Sequence, residues 1–138
     1  ACLATRAAAV GMTAGSHGST FGGNPLAMAV GNAVLDVVLS EGFLDGVRDI
    51  AADFVSKLAP LAEGNNNIFS ELRGSGFLLG LRCGPDKIEV MESLRHRGLL
   101  VAGAGDNVIR LLPPLTVETV QIDEAVELLA NASEGPAA

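Results

Sequence analysis

Residues 15–27 read GSHGSTFGGNPLA. Ser19 and Thr20 place two hydroxyls side by side among Gly15, Gly18, Gly22 and Gly23, which are free to take positive φ. Such a loop can turn several backbone N–H groups and a hydroxyl toward one anion. Phosphate sites use that arrangement because desolvated phosphate oxygens need many donors at short range. The stretch has neither the Gly-Lys-Ser/Thr of a P-loop nor the spacing of a dinucleotide-binding turn. Composition alone favours the plainer alternative, a flexible loop leading into a capped helix.

Arg110 is the second residue with chemical promise. It lies in VIRLL (108–112), on the strand face shared by Val108 and Leu112. An arginine among apolar neighbours needs a partner, and a carboxylate suits its planar fork. The alternative is an edge-strand arginine reaching solvent. His17 titrates near neutrality and is a candidate acid–base group, though a loop histidine with a structural hydrogen bond is the simpler reading. His96, between two arginines at the end of a helix, reads as a surface residue, as do Lys57, Lys87, Glu71, Glu89 and Glu92. No Ser–His–Asp arrangement or metal-binding cluster is legible, and Cys2 and Cys83 have no neighbours at metal-ligand spacing.

The bulk composition narrows the partners. The 138 residues are 49% apolar and only 18% charged, with no Trp or Tyr. A surface so poor in charge predicts that part of it is covered by something else. The net charge is −7 and the nine basic residues form no run, which argues against nucleic acid or an anionic membrane as partner. The richest apolar stretch is interrupted by Asn32 and Asp36 and falls short of a membrane span. Two unpaired cysteines fit a reducing cytoplasm.

The elements that must position these residues follow from periodicity and punctuation. ACLA (1–4) reads as a short strand and residues 5–24 as loop, with at most one helical turn at 6–10. Asn24-Pro25 is a helix start, with Asn as N-cap and Pro in the first turn. The helix runs to about Leu39, and its polar stripe is only Asn32, Asp36 and Ser40, so most of its circumference must be covered. A second helix is expected over 43–62, a turn at GNNN (64–67), and strands over 68–73 and 77–83 with Gly74 and Gly76 marking a bend or bulge between them. A helix from Asp86 to Arg97 turns Ile88, Met91 and Leu94 inward. Strands at 99–102 and 108–112 are joined by the hairpin turn GAGDN, a last helix spans Val120 to Asn131, and EGPAA reads as a frayed tail. Strands partly adjoin one another without regular βαβ alternation. That predicts an α+β unit, a small, mostly antiparallel sheet with helices on one face, preceded by the long helix.

HGSTFGGNPLA, together with GAGDNVIRLLPPL some way downstream, closely resembles the C-terminal portion of the class III pyridoxal-phosphate aminotransferases, and within them the acetylornithine group. ACLAT, VLDVV, GFL, ELRGSGFLLGL, GLLVAGAG and IDEAVELL occur in register, so the resemblance covers nearly the whole chain. It implies that Thr20, with Ser19 beside it, reaches across a homodimer interface to the phosphate of pyridoxal 5'-phosphate in the neighbouring subunit. It implies that Arg110 binds a substrate carboxylate. Residues 1–24 would then be a remnant of the large cofactor-binding domain carrying the phosphate clasp, 25–40 an interdomain connector helix, and 41–138 the C-terminal small domain. The family's Schiff-base lysine lies just ahead of the position matching Ala1, and neither Lys57 nor Lys87 matches it, so the resemblance leaves no catalytic residue in this stretch and implies that the stretch alone is inactive. The implied parent is a cytoplasmic transaminase of arginine biosynthesis. It moves the δ-amino group of N-acetylornithine to 2-oxoglutarate, yielding glutamate, by a ping-pong route. Relatives acting on ornithine, succinylornithine or N-succinyl-diaminopimelate are not separated from it by these residues. The alternative is a non-catalytic dimerisation or anion-binding module with the small-domain fold.

Overall fold

The computed structural model describes residues 3–64 and 68–132, and the chain divides into two units, Ala1–Ser40 and Glu41–Ala138. In the first unit, α1 (Arg6–Ala9) is a single turn whose N-cap, Thr5, accepts from the Ala8 N–H at 3.3 Å. Leu3 and Ala4 are exposed and form no strand, because nothing described pairs with them, and the first two residues of the expected ACLA strand lie outside the described residues. Helix α2 (Pro25–Val38) begins where the sequence predicts: the Asn24 side chain accepts from the Ala27 N–H at 2.9 Å, and Pro25 needs no such partner. No residue of α2 is buried. Leu26, Met28, Val30, Val34, Leu35 and Val37 each expose more than half their surface, so the covering that its composition demands is not supplied by the described residues.

The second unit starts with α3 (Phe43–Glu63), which follows Gly42 at φ 79°. Ala51, Phe54 and Leu58 form its buried stripe, flanked by half-buried Val47, Ile50 and Leu61. Strands β1 (Phe69–Ser75) and β2 (Leu78–Cys83) pair antiparallel through the two-residue turn Gly76-Phe77. β1 thus runs two residues further toward the turn than the sequence predicts, while β2 starts one residue later than expected. Gly74 allows this: at φ 118° a Cβ there would come within 2.0 Å of the Leu78 carbonyl oxygen. The register irregularity falls instead between Phe69 and Glu71. Of the expected turn at 64–67, Gly64 caps α3 and the asparagines lie outside the described residues.

Helix α4 (Lys87–His96) is capped by Asp86, whose carboxylate accepts from the Ile88 N–H at 2.7 Å. Val90 and Leu94 are its buried residues; Ile88, expected inward, is exposed, because the stripe that meets the sheet is the i, i+4 pair with Met91 beside it. Strand β3 (Ala102–Ala104) is shifted from the expected 99–102. The cause is the turn at Gly105–Asn107: Asp106 and Asn107 both have positive φ, 58° and 54°, which suits a tight hairpin. It sets Ala104 opposite Val108 and Ala102 opposite Arg110, leaving Leu99–Val101 to carry the chain from α4 to the sheet. Strand β4 (Val108–Leu111) follows, and α5 (Thr119–Ala130) closes the unit with Ile122 and Leu129 buried and Val126 half-buried. The expected tail EGPAA lies outside the described residues.

The sheet is antiparallel throughout, in the order β1-β2-β4-β3. Leu79, Leu81 and Cys83 of β2 and Ile109 and Leu111 of β4 alternate onto the face that meets Phe54, Leu58, Val90, Leu94, Ile122 and Leu129. That is the α+β arrangement the sequence predicts, with helices on one face. Lys57, expected to be solvated, is half-buried; it ties α3 to α5 through Asp123 at 2.5 Å and also pairs with Asp53 of its own helix at 2.6 Å, and those hydrogen bonds hold its ammonium above the usual lysine pKa. Among the described residues, no single helix is long and apolar enough to cross a membrane.

Candidate functional site

Ser19 and Thr20 open a tight turn in which the Gly22 N–H donates to the Ser19 carbonyl at 3.2 Å. A Cβ on Gly22 would come to 3.0 Å from the Ser19 Cβ and Oγ, so a side chain there would press on Ser19. Asn24 fastens the exit. Its Nδ2 donates to the Phe21 carbonyl at 2.7 Å while its Oδ1 caps α2. The two hydroxyls are therefore held one turn ahead of a rigid helix. Both residues are exposed, and neither side chain makes a hydrogen bond with any described residue. As a donor set, paired hydroxyls on a glycine-rich turn fit a phosphate. His17 is exposed and makes no hydrogen bond with a described residue, so the expected structural bond is not formed. His96 is a surface residue 3.9 Å from Glu92, as its position suggests.

Arg110 belongs to the second unit. β4 lies between β2 and β3, which excludes the edge-strand alternative. The register places Arg73, Gly80, Arg110 and Ala102 in one row across the four strands, on the face away from the helices. At the usual strand spacing, Arg73 and Arg110 are about 10 Å apart along that row. Gly80 stands between them: a Cβ there would meet the Val108 Cγ1 at 2.8 Å. The result is an open cleft of about 280 Å³ with both arginines in its lining. The apolar setting expected of Arg110 is not what the fold provides. Its cross-strand neighbours, Gly80 and Ala102, are too small to bury it, and it stands exposed.

The rest of this face was not legible in the sequence. Arg73 forms a fork-to-fork pair with Glu71 (both contacts 2.7 Å) and reaches Asp106 at 2.8 Å; Arg82 lies 3.6 Å from the same aspartate. Glu71, read as a plain surface carboxylate, is thus the main partner of Arg73. Hydrogen bonds from Arg73 hold both the Glu71 and Asp106 carboxyls below the usual carboxylate range, with Arg82 contributing to each. Arg110 makes no ion pair with any described residue. Of the three guanidinium groups on this face, it is the one open to an incoming anion.

The depressed carboxyls give a prediction with a definite sign. Groups whose folded pKa lies below the unfolded value stabilise the fold above the unfolded value and lose that contribution as pH falls through the folded one. Carboxylate-resolved NMR titration is expected to find Glu71 and Asp106 ionised well below the ordinary range, with no change in the sheet between neutrality and about pH 5. In Arg73→Met both should return toward ordinary values; unmoved midpoints would show that the pairing is absent in solution.

Comparison with known proteins bears on the family and the fold. The family model for class-III aminotransferases matches residues 1–132. The acetylornithine aminotransferase of Mesorhizobium japonicum is 54% identical over 135 residues, 98% of this chain and 34% of that protein. That of Agrobacterium fabrum is 55% identical over 131 residues, 95% of this chain and 32% of its own length. Among solved structures, acetylornithine aminotransferase from Elizabethkingia anophelis superimposes with a TM-score of 0.74 at 33% identity, over 87% of this chain and 32% of that one. The ornithine delta-aminotransferase of Plasmodium falciparum gives a TM-score of 0.76 at 28% identity, over the same shares. The chain spans about a third of the length of the relatives it matches. With a family match running almost from end to end and an α+β fold shared with solved aminotransferases, the chain belongs to the class III aminotransferases.

Proposed function

We propose that this chain is part of a pyridoxal-phosphate-dependent transaminase that moves the δ-amino group of N-acetylornithine to 2-oxoglutarate, in arginine biosynthesis. The observation that carries the proposal is the open guanidinium of Arg110 on a face whose other arginines are already paired, in a chain whose relatives at 54% and 55% identity are named acetylornithine aminotransferases. The planar fork of Arg110 takes a substrate carboxylate by two parallel bonds and so orients the molecule about that end. Ser19 and Thr20 hold the cofactor phosphate with their hydroxyls, aided by N–H groups of the glycine-rich turn. Bound pyridoxal phosphate supplies the electron sink for moving an amino group between carbon skeletons.

The reading includes a homodimer in which the clasp loop serves the neighbouring subunit's cofactor and the bare apolar surface of α2 is covered as the connector between two domains. It also includes the cytoplasm, where a free thiol such as Cys83 stays reduced. A second reading, a non-catalytic dimerisation or anion-binding module, is favoured by one observation. The chain's two lysines are both engaged, Lys57 by Asp53 and Asp123 and the Lys87 ammonium by the Ala104 carbonyl oxygen. The test is an assay of the full-length enzyme, with pyridoxal phosphate, against N-acetylornithine, ornithine, succinylornithine and N-succinyl-diaminopimelate as amino donors to 2-oxoglutarate. The highest kcat/KM is expected with N-acetylornithine, and these 138 residues alone are expected to show no turnover. Absence of transamination with every donor would favour the module.

A further inference from the structure

β4 starts from a turn fastened on both sides. On the helix side, the Asn107 Oδ1 accepts from the Lys87 N–H at 2.9 Å, while its Nδ2 donates to the carbonyls of Cys83 at 2.8 Å and Pro85 at 2.7 Å. Its own carbonyl accepts from the Cys83 N–H at 2.8 Å. One side chain therefore joins the end of β2, the linker after it, the first residue of α4 and the residue that launches β4. On the open side, Asp106 is held by Arg73 of β1. Asp106 and Asn107 are the only non-glycine residues with positive φ among those described. Arg110 is three positions beyond Asn107, on a strand clamped by β2 and β3, so the point where β4 is anchored sets where its guanidinium stands in the cleft.

We propose that Asn107 is a positioning residue for Arg110: its three side-chain bonds fix the start of β4 against the end of β2, the linker after it and α4, and thereby fix the geometry with which Arg110 meets a carboxylate. The proposal rests on the reading of Arg110 as the carboxylate-binding residue. Asparagine suits the place on chemical grounds. It tolerates the left-handed region, and it carries an acceptor and two donors on one planar group, matching one N–H and two carbonyls. Aspartate keeps the acceptor but turns a second oxygen against two carbonyls. Glycine keeps the backbone conformation and removes all three bonds, so Asn107→Gly separates the side chain's role from backbone strain.

The test is a double-mutant cycle in the full-length holoenzyme, using glutarate, a dicarboxylate without a reacting carbonyl, as the binding probe. Asn107→Gly is expected to weaken glutarate binding at least about fivefold, and to weaken it less than about twofold further in an Arg110→Ala background, as for residues acting through one another. A purely structural role would lower thermal stability while leaving the affinity of the folded enzyme unchanged, or would lower affinity by the same factor in both backgrounds; either result overturns the proposal. If Asn107→Gly does not fold, Asn107→Asp takes its place with the same expected pattern. Should Arg110→Ala alone leave glutarate affinity unchanged, the carboxylate reading of Arg110 itself falls. Loss with Arg110→Ala but none with Asn107→Gly refutes only the positioning role.

Discussion

Arg110→Lys in the full-length enzyme is expected to damage the half-reaction with 2-oxoglutarate or glutamate far more than the half-reaction with N-acetylornithine. The substitution keeps the charge and removes the fork. A carboxylate bound by two parallel N–H···O bonds then keeps one point contact from a strongly hydrated ammonium. One charge-assisted hydrogen bond is worth roughly 1.5–3 kcal/mol, so a loss of about tenfold to a hundredfold is expected in the affected half. Asymmetry is expected on the family resemblance, which implies that Arg110 pairs with a protein carboxylate while the amino donor is bound and is freed for the keto acid. Glu71 and Asp106 do not serve that purpose in the described structure, since both are held by Arg73. On that reading the carboxylate would come from elsewhere in the enzyme. Single-turnover measurement of each half-reaction separates the cases. Equal losses would mean a contact shared by both substrates or a structural role, and no loss in either would leave Arg110 as an exposed arginine without function.

The parts of the fold legible in the sequence were those encoded locally. Asn24-Pro25 starts α2 because a side-chain acceptor and a missing N–H act within one turn. The apolar spacing of Phe54 and Leu58, and of Ile122 and Leu129, marks the inward faces of α3 and α5 because burial selects a period close to 3.6. The position of β3 was not legible, because its register depends on two consecutive residues taking positive φ, and Leu99–Val101 are more strand-like in composition than Ala102–Ala104. Nor was the side of α4 that faces the sheet: Ile88 and Val90 are equally apolar, and tertiary packing chooses Val90. The ion network on the open face joins residues 33 positions apart, Arg73 and Asp106, and no local pattern announces it. The reading of Thr20 and Arg110 as functional residues rests on family resemblance. What the structure adds is that both are exposed and lack partners among the described residues, the condition in which a group can bind something new.

Thr20→Ala removes one hydroxyl donor from the phosphate clasp and is expected to weaken cofactor retention about tenfold or more, since each 1.4 kcal/mol is a factor of ten and a hydrogen bond to a charged group is worth roughly 1.5–3. The turn itself should survive. Its closing bond is between backbone atoms of Gly22 and Ser19, and the Thr20 side chain is exposed. Measuring cofactor dissociation from the holoenzyme therefore reports on the clasp and not on folding. The in-trans assignment makes a sharper claim. Consider heterodimers that combine Thr20→Ala with loss of the cofactor-bearing lysine, which the resemblance sets ahead of Ala1. With the two changes on different subunits, the subunit that keeps its lysine receives the clasp from a partner whose Thr20 is intact, so one complete site remains and should hold cofactor as tightly as wild type. With both changes on one subunit, the remaining lysine receives only the Thr20→Ala loop, and no complete site exists. A clasp acting in cis reverses the pattern: separated changes leave no complete site, and combined changes leave one. Cofactor release and turnover in the two heterodimers decide between these arrangements without reference to the size of the single-mutant effect.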